Sequence, residues 1–441
     1  MKAGRAGCPT LLLAMLLSAV GSSAADKPAI LIDQPSDKAF RIALQRFASD
    51  PSAERAAGEI HQSLVAGLDF SGLFQRVPEA AFLGPVQSPS LDAAPGFNCA
   101  RWSQIGSDAL LQGEVHVEAQ EVRVKFRVLD VARGCRFLVG KRYRGKPDDL
   151  RRMGKAMADD IVGAFTGQRG VADTEIAFVS DRSGSREIFV MDADGENLRA
   201  ATHNHSINAF PDWAPDGEAI VYTSYRYRNR PWLFLLTRGT RSPGRILRRL
   251  DGKGPIYRGV LDPSGHRIAL VRSVSGQAEI FTARRDGSHS KRLTRNWSID
   301  VSPTWSPDGR RIAFVSDRTG SPQVYVMHAD GSAVRRLTFD GSYNTGPAWS
   351  PDGRWIAYET RVNAQFDLWL VDPEGRTNVP LVTHRRSDEQ PSWAPDSRML
   401  AFSSSRRGSK DIYVIGLGDR KVRRLTHEGD NTAPTWGPYR R

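Results

Sequence analysis

Between residues 301 and 338 the chain alternates short apolar runs with clusters of turn-forming residues. Val301 to Trp305 reads as a strand, and Ser306-Pro307-Asp308-Gly309 as a type I turn with proline preset at its second position and glycine at its end. Arg311 to Ser316 is β-branched and aromatic. Asp317 to Pro322 interrupts it, and Val324-Tyr325-Val326-Met327 resumes before the turn Ala329-Asp330-Gly331. Val334 to Thr338 completes a set of four strands.

The turn phrase of this set recurs at Trp213-Ala214-Pro215-Asp216-Gly217, Trp305-Ser306-Pro307-Asp308-Gly309, Trp349-Ser350-Pro351-Asp352-Gly353 and Trp393-Ala394-Pro395-Asp396-Ser397. A worn copy stands at Leu261-Asp262-Pro263-Ser264-Gly265, and Trp436-Gly437-Pro438-Tyr439 closes the series. Successive copies start 43 to 48 residues apart, the period of a four-stranded propeller blade. The outer pieces recur too, as Ser180-Asp181-Arg182-Ser183-Gly184 and as the pairs Leu293-Thr294, Leu337-Thr338 and Leu425-Thr426. The first copy, Thr174 to Thr202, has no Trp phrase before it, whereas Asn431 to Trp436 is a first strand with nothing after it. The pattern therefore predicts a mainly β chain: a six-bladed propeller over 169–441 in which 431–436 completes the first blade and removes the open seam.

Residues 26–168 have a different rhythm and form a separate small α/β domain. Ala29-Ile30-Leu31-Ile32 and Phe40 to Leu44 read as strands. Asp50-Pro51-Ser52 starts a helix with Ala57, Ile60, Leu64 and Leu68 on its apolar stripe, ending near Gly72. Strands follow at Ala109 to Val117, Val122 to Val131 and Phe137 to Tyr143. A second helix, Pro147 to Phe165, carries Leu150, Met153, Met157, Ile161 and Phe165 and is closed by Gly167. Two helices on one face of a mixed sheet is the economical packing. Residues 84–98, rich in Pro, Gly and Ser, read as a surface loop, and Gln168-Arg169-Gly170 as a short joint that favours a fixed domain pair.

Residues 1–25 have the layout of a signal peptide: Lys2 and Arg5, an apolar core from Leu11 to Val20, then Ser22-Ser23-Ala24-Ala25, with cleavage expected at Ala24 or Ala25. The mature chain is therefore expected to be secreted, without the cysteine placement of a lipoprotein anchor, since Cys8 precedes the apolar core. In an oxidising compartment Cys99 and Cys135 could form a disulfide worth about 3–4 kcal/mol, or stay as two buried thiols.

The 441-residue chain has a formal net charge of +13. This favours an acidic partner, or it reflects arginines on solvated blade rims. The arginines are scattered through turns without the aromatic interleaving of a nucleic-acid binder. For catalysis, no G-x-S-x-G elbow occurs, and the repeated aspartates have a sufficient role in their turns. His203, His205, His384 and His427 fall in links between blades, where Asp300, Asp388, Glu389 and Asp430 also lie, but no H-x-x-x-H or C-x-x-C phrase marks a metal site. No cofactor and no catalysis are expected. A periplasmic lyase or hydrolase acting on polysaccharide or peptide is the alternative.

A signal peptide, an α/β domain and a ring of W-S-P-D-G repeats, in that order, resemble the TolB family of the bacterial Tol–Pal envelope system. Ile30-Leu31-Ile32-Asp33, Leu68-Asp69-Phe70-Ser71-Gly72-Leu73-Phe74, Trp102-Ser103-Gln104-Ile105-Gly106-Ser107-Asp108-Ala109, Ala158-Asp159-Asp160-Ile161, Phe165-Thr166-Gly167 and the final Trp436-Gly437-Pro438-Tyr439 are similar to that family. The resemblance implies a non-enzymatic periplasmic scaffold, monomeric and held at membranes only through protein partners, serving outer-membrane integrity and constriction at cell division. It implies that the lipoprotein Pal binds the propeller face and that TolA binds the mature N-terminus, here Asp26, Lys27, Pro28, Ala29, Ile30, Leu31, Ile32 and Asp33. The propeller face expected to bind Pal comprises His205, Arg226, Arg228, Trp297, Asp300, Tyr343, Asn344, Arg385, Arg386 and Asp388. One departure stands out: Pro255-Ile256 occupies the place of the family's frequent His-Asn pair, so a histidine contact there does not carry over.

Overall fold

The computed structural model describes residues 39–82, 100–240, 244–247, 250 and 254–440. The signal peptide with Ala24 and Ala25, the segment 26–33, the loop 84–98 and Cys99 lie outside the described residues. Cys135 is disulfide-bonded.

The first domain is a mixed sheet. Its strands are β1 (Phe40–Leu44), β2 (Ala48–Ser49), β3 (Phe74–Arg76), β4 (Ala109–Glu118), β5 (Glu121–Asp130) and β6 (Arg136–Gly145). The order is β3-β1-β4-β5-β6, with β1 parallel to β3 and β4 and the last two pairings antiparallel. Helices α1 (Glu54–Ser71) and α3 (Leu150–Thr166) cover one face and share its core of Ile60, Leu64, Leu68, Met157, Ile161 and Phe126. They approach closely because small residues meet: a Cβ on Gly154 would lie 2.5 Å from the Ile60 carbonyl oxygen. Each ends on a left-handed glycine, Gly72 and Gly167, as a helix stop requires. A third helix, α2 (Ala100–Gln104), was not expected; its Trp102 covers the opposite face with Leu110 and Leu129.

The rest of the chain forms six four-stranded sheets. In sequence, five are complete: 208–246, 256–292, 300–336, 344–382 and 388–424. The remaining sheet pairs Asn431–Trp436 with Glu175–Ser180, followed by Glu187–Asp192 and Arg199–Ala200. The last strand therefore closes the first blade, with Asn431 opposite Ser180 and Trp436 opposite Ile176. The fourth strand read at Val334 to Thr338 is shorter, with only Arg335–Arg336 paired.

The turn phrase works as its residue types dictate. Asp308 accepts the Arg310 N–H at 3.0 Å, Asp352 that of Arg354 at 3.1 Å and Asp396 that of Arg398 at 3.0 Å, while Gly309 and Gly353 take left-handed φ. The tryptophans are 6–7% exposed and pack between blades; the indole of Trp305 donates to the Val260 carbonyl of the preceding blade at 3.2 Å.

The two domains meet at the end of the ring that carries these turns. Lys155 of α3, almost fully buried, lies 2.8 Å from Asp192 and 2.7 Å from Asp194. Arg440 reaches Asp173, Glu175 and Asp192 at 3.2, 2.9 and 2.6 Å, and Arg423 donates to the Phe70 carbonyl at 3.0 Å.

Candidate interaction surface

The opposite end of the ring holds the links from each blade's outer strand to the next inner strand, together with the loops between second and third strands. Three of the residues expected to face a partner there are fully buried: Asp300, Asn344 and Asp388. Each begins an inner strand and is consumed by the fold. Asp300 accepts from Arg318 at 3.1 Å and Asn296 at 2.7 Å, Asn344 donates to Gln323 and to the Asp340 carbonyl at 2.7 Å, and Asp388 accepts from Arg406 at 2.8 Å. They shape the links rather than present a side chain.

The repeated loop arginines are similarly spent. Arg318 lies over Phe314 and Tyr325, Arg406 over Phe402 and Tyr413, and Arg182 over Phe178 and Phe189 while donating to Asn431 at 3.0 Å. These are cation–π clamps between a blade and an inner strand. The second blade keeps the stacking, but among the described residues its arginine has no inner-strand partner. Arg226 stacks on Phe234 and Arg228 on Tyr227, and both remain exposed to solvent, as do His205, Arg385 and Arg386. Among the described residues none of these four arginines has an acidic side chain paired with it.

Apolar side chains share this end. Trp297 is 93% exposed, Phe339 68%, Ile207 53%, Ile299 49% and Tyr343 37%, and every one of them lies in a link between blades. Ile207, Ile299 and Phe339 escaped the sequence reading because links carry no periodicity; the only signal was a large apolar residue beside a polar turn. This end of the ring thus carries exposed apolar side chains together with arginines that have no acidic partner among the described residues, a composition found at protein-binding surfaces. Among the described residues no group of three or more His, Cys, Asp or Glu is placed to hold a metal ion, and no helix is long and apolar enough to cross a membrane.

Comparison with known proteins gives two family matches, the TolB amino-terminal domain over residues 28–137 and the TolB beta propeller domain over 162–440. The Tol-Pal system protein TolB of Anaeromyxobacter dehalogenans (strain 2CP-C) is 38% identical over 67% of this chain and 66% of its own length. The protein of the same description from Desulfosudis oleivorans is 35% identical over 65% of each. The aligned part of the chain thus spans about two thirds of these relatives. Among solved structures, TolB from Acinetobacter baumannii superposes with a TM-score of 0.77 at 23% identity, covering 91% of this chain and 97% of that one, and so shares its fold.

Proposed function

The chain belongs to the TolB family, and on that premise we propose that it is a periplasmic, non-enzymatic scaffold of a Tol–Pal system. It binds a Pal-type lipoprotein at the link end of the propeller and a TolA-type protein through residues 26–33, and serves envelope integrity during constriction. The observation that carries the reading is the co-location of Trp297, Ile299, Phe339 and Tyr343 with Arg226, Arg228, Arg385 and Arg386 on one end of the ring, opposite the end that the first domain occupies. Assigning the two partners to different domains implies that both can engage one molecule at once.

The test is binding to the cognate lipoprotein and TolA domains. Replacing Arg226, Arg228, Arg385 and Arg386 by serine should weaken lipoprotein binding and its salt dependence while TolA binding persists. Deleting residues 26–33 should do the reverse. Loss of both interactions from either change would remove the two-site assignment.

A further inference from the structure

The wall of the central channel is formed by the six inner strands. Five of them place a residue with left-handed φ just before a proline: Phe210, Ser302, Gly346, Gln390 and Ala433, with φ of 50–58°. The sixth reads Tyr257-Arg258-Gly259-Val260, without the proline, and sets an arginine at the equivalent position. Arg258 borders a cavity of about 50 Å³ together with Asp212, Glu359, Gln390 and Phe210. Glu359 reaches it through the space that Gly346 leaves; a Cβ there would collide with the carboxylate. Leu261 N–H donates to Asp212 at 3.4 Å, and Gln390 N–H donates to Glu359 at 2.7 Å. Arg258 itself lies 6.0 Å from the Phe210 ring centre and makes no hydrogen bond to any described residue. The cavity shares Arg258, Asp212 and Val260 with a wider mouth of about 450 Å³ at the turn end of the ring, walled by Pro211, Pro347 and Pro434. Among the described residues, none of the first domain lines that mouth.

We propose that the channel binds a small monocarboxylate with an apolar body, its carboxylate on the Arg258 guanidinium and its body against the proline-lined mouth. A planar guanidinium with unused donors matches a carboxylate in bidentate geometry. At about 10–15 Å³ for each water-sized position the inner cavity takes roughly four, enough for a carboxylate and its first carbon. A phosphate dianion is disfavoured because Asp212 and Glu359 repel its second charge. Burial raises both carboxyls to about 7, so an incoming anion is opposed where they are ionised and admitted where they are protonated.

The experiment is calorimetric titration of the mature chain with 3-phenylpropionate at pH 6 and pH 8. Binding should be about tenfold weaker at pH 8 if one of the two carboxyls must be protonated, and 3-phenylpropionamide should not bind. Arg258→Gln should weaken binding at least ~tenfold, whereas Asp212→Asn should tighten it at pH 8. A damaged fold cannot produce these opposite signs. No binding of the acid by the unaltered chain, equal binding of acid and amide, or an Arg258→Gln variant with unchanged affinity would overturn the proposal.

Discussion

Replacing Trp297 by alanine separates a side chain kept for a partner from one kept for the fold. At 93% exposure the indole contributes almost nothing to the packing of the free protein, so Trp297→Ala should change unfolding stability by no more than about 0.5 kcal/mol. On binding, a tryptophan loses roughly 150–250 Å² of accessible surface. At about 25 cal/mol per Å² that is a gross gain of about 4–6 kcal/mol. Ordering the side chain and imperfect desolvation take back part of it, leaving about 2–3 kcal/mol, a weakening of roughly 30- to 150-fold in Kd. The assay is calorimetric titration with the periplasmic domain of the cognate Pal-type lipoprotein, alongside thermal melts. Trp305→Ala is the contrasting variant: that indole is 7% exposed and hydrogen-bonded to the neighbouring blade, and its removal should cost about 3–5 kcal/mol of stability. An unchanged Kd for Trp297→Ala would refute the placement of the lipoprotein on the links.

Deleting residues 431–441 strips Glu175–Ser180 of its inner neighbour and removes Arg440 from its three acidic partners; cooperative melting should be lost and aggregation appear, and a truncated protein that melts like the intact one would contradict strand closure. Lys155→Ala removes the buried ammonium between Asp192 and Asp194 and leaves Asp192 with Arg440 and Asn197, which should cost about 1.5–3 kcal/mol and split a single calorimetric transition into two. Burial holds the Asp159 carboxyl up at about 7, above its unfolded value of about 3.9. The folded chain therefore binds the extra proton between those values, and the stability this group supplies is present at about pH 4 and lost as pH rises through 7. Asp159→Asn should flatten that part of a plot of Tm against pH, and an unaltered slope would show that other groups set it.

Most of the architecture was legible because each blade repeats a local instruction: proline and aspartate set a turn, glycine takes the left-handed step, and β-branched runs on either side can only pair. Even the worn copy at Leu261 obeys, since Asp262 still accepts the N–H groups of His266 and Arg267 and the strand still pairs from Ile256 to Leu261. The interaction surface was only half legible, for a reason rooted in the same repeats. A charged residue at the start of an inner strand looks available in sequence, yet Asp300 and Asp388 are neutralised by arginines 18 residues later in the same blade. That pairing becomes visible only when second-strand loops are folded over inner strands. Where the arginine keeps its ring but has no inner-strand partner, as at Arg226, the same residue type stays exposed. Departure from the repeat, rather than the repeat itself, thus leaves a side chain that the blade does not use. By the same logic Arg258, which stands where the other inner strands carry a left-handed residue before proline, is a side chain that blade geometry does not require.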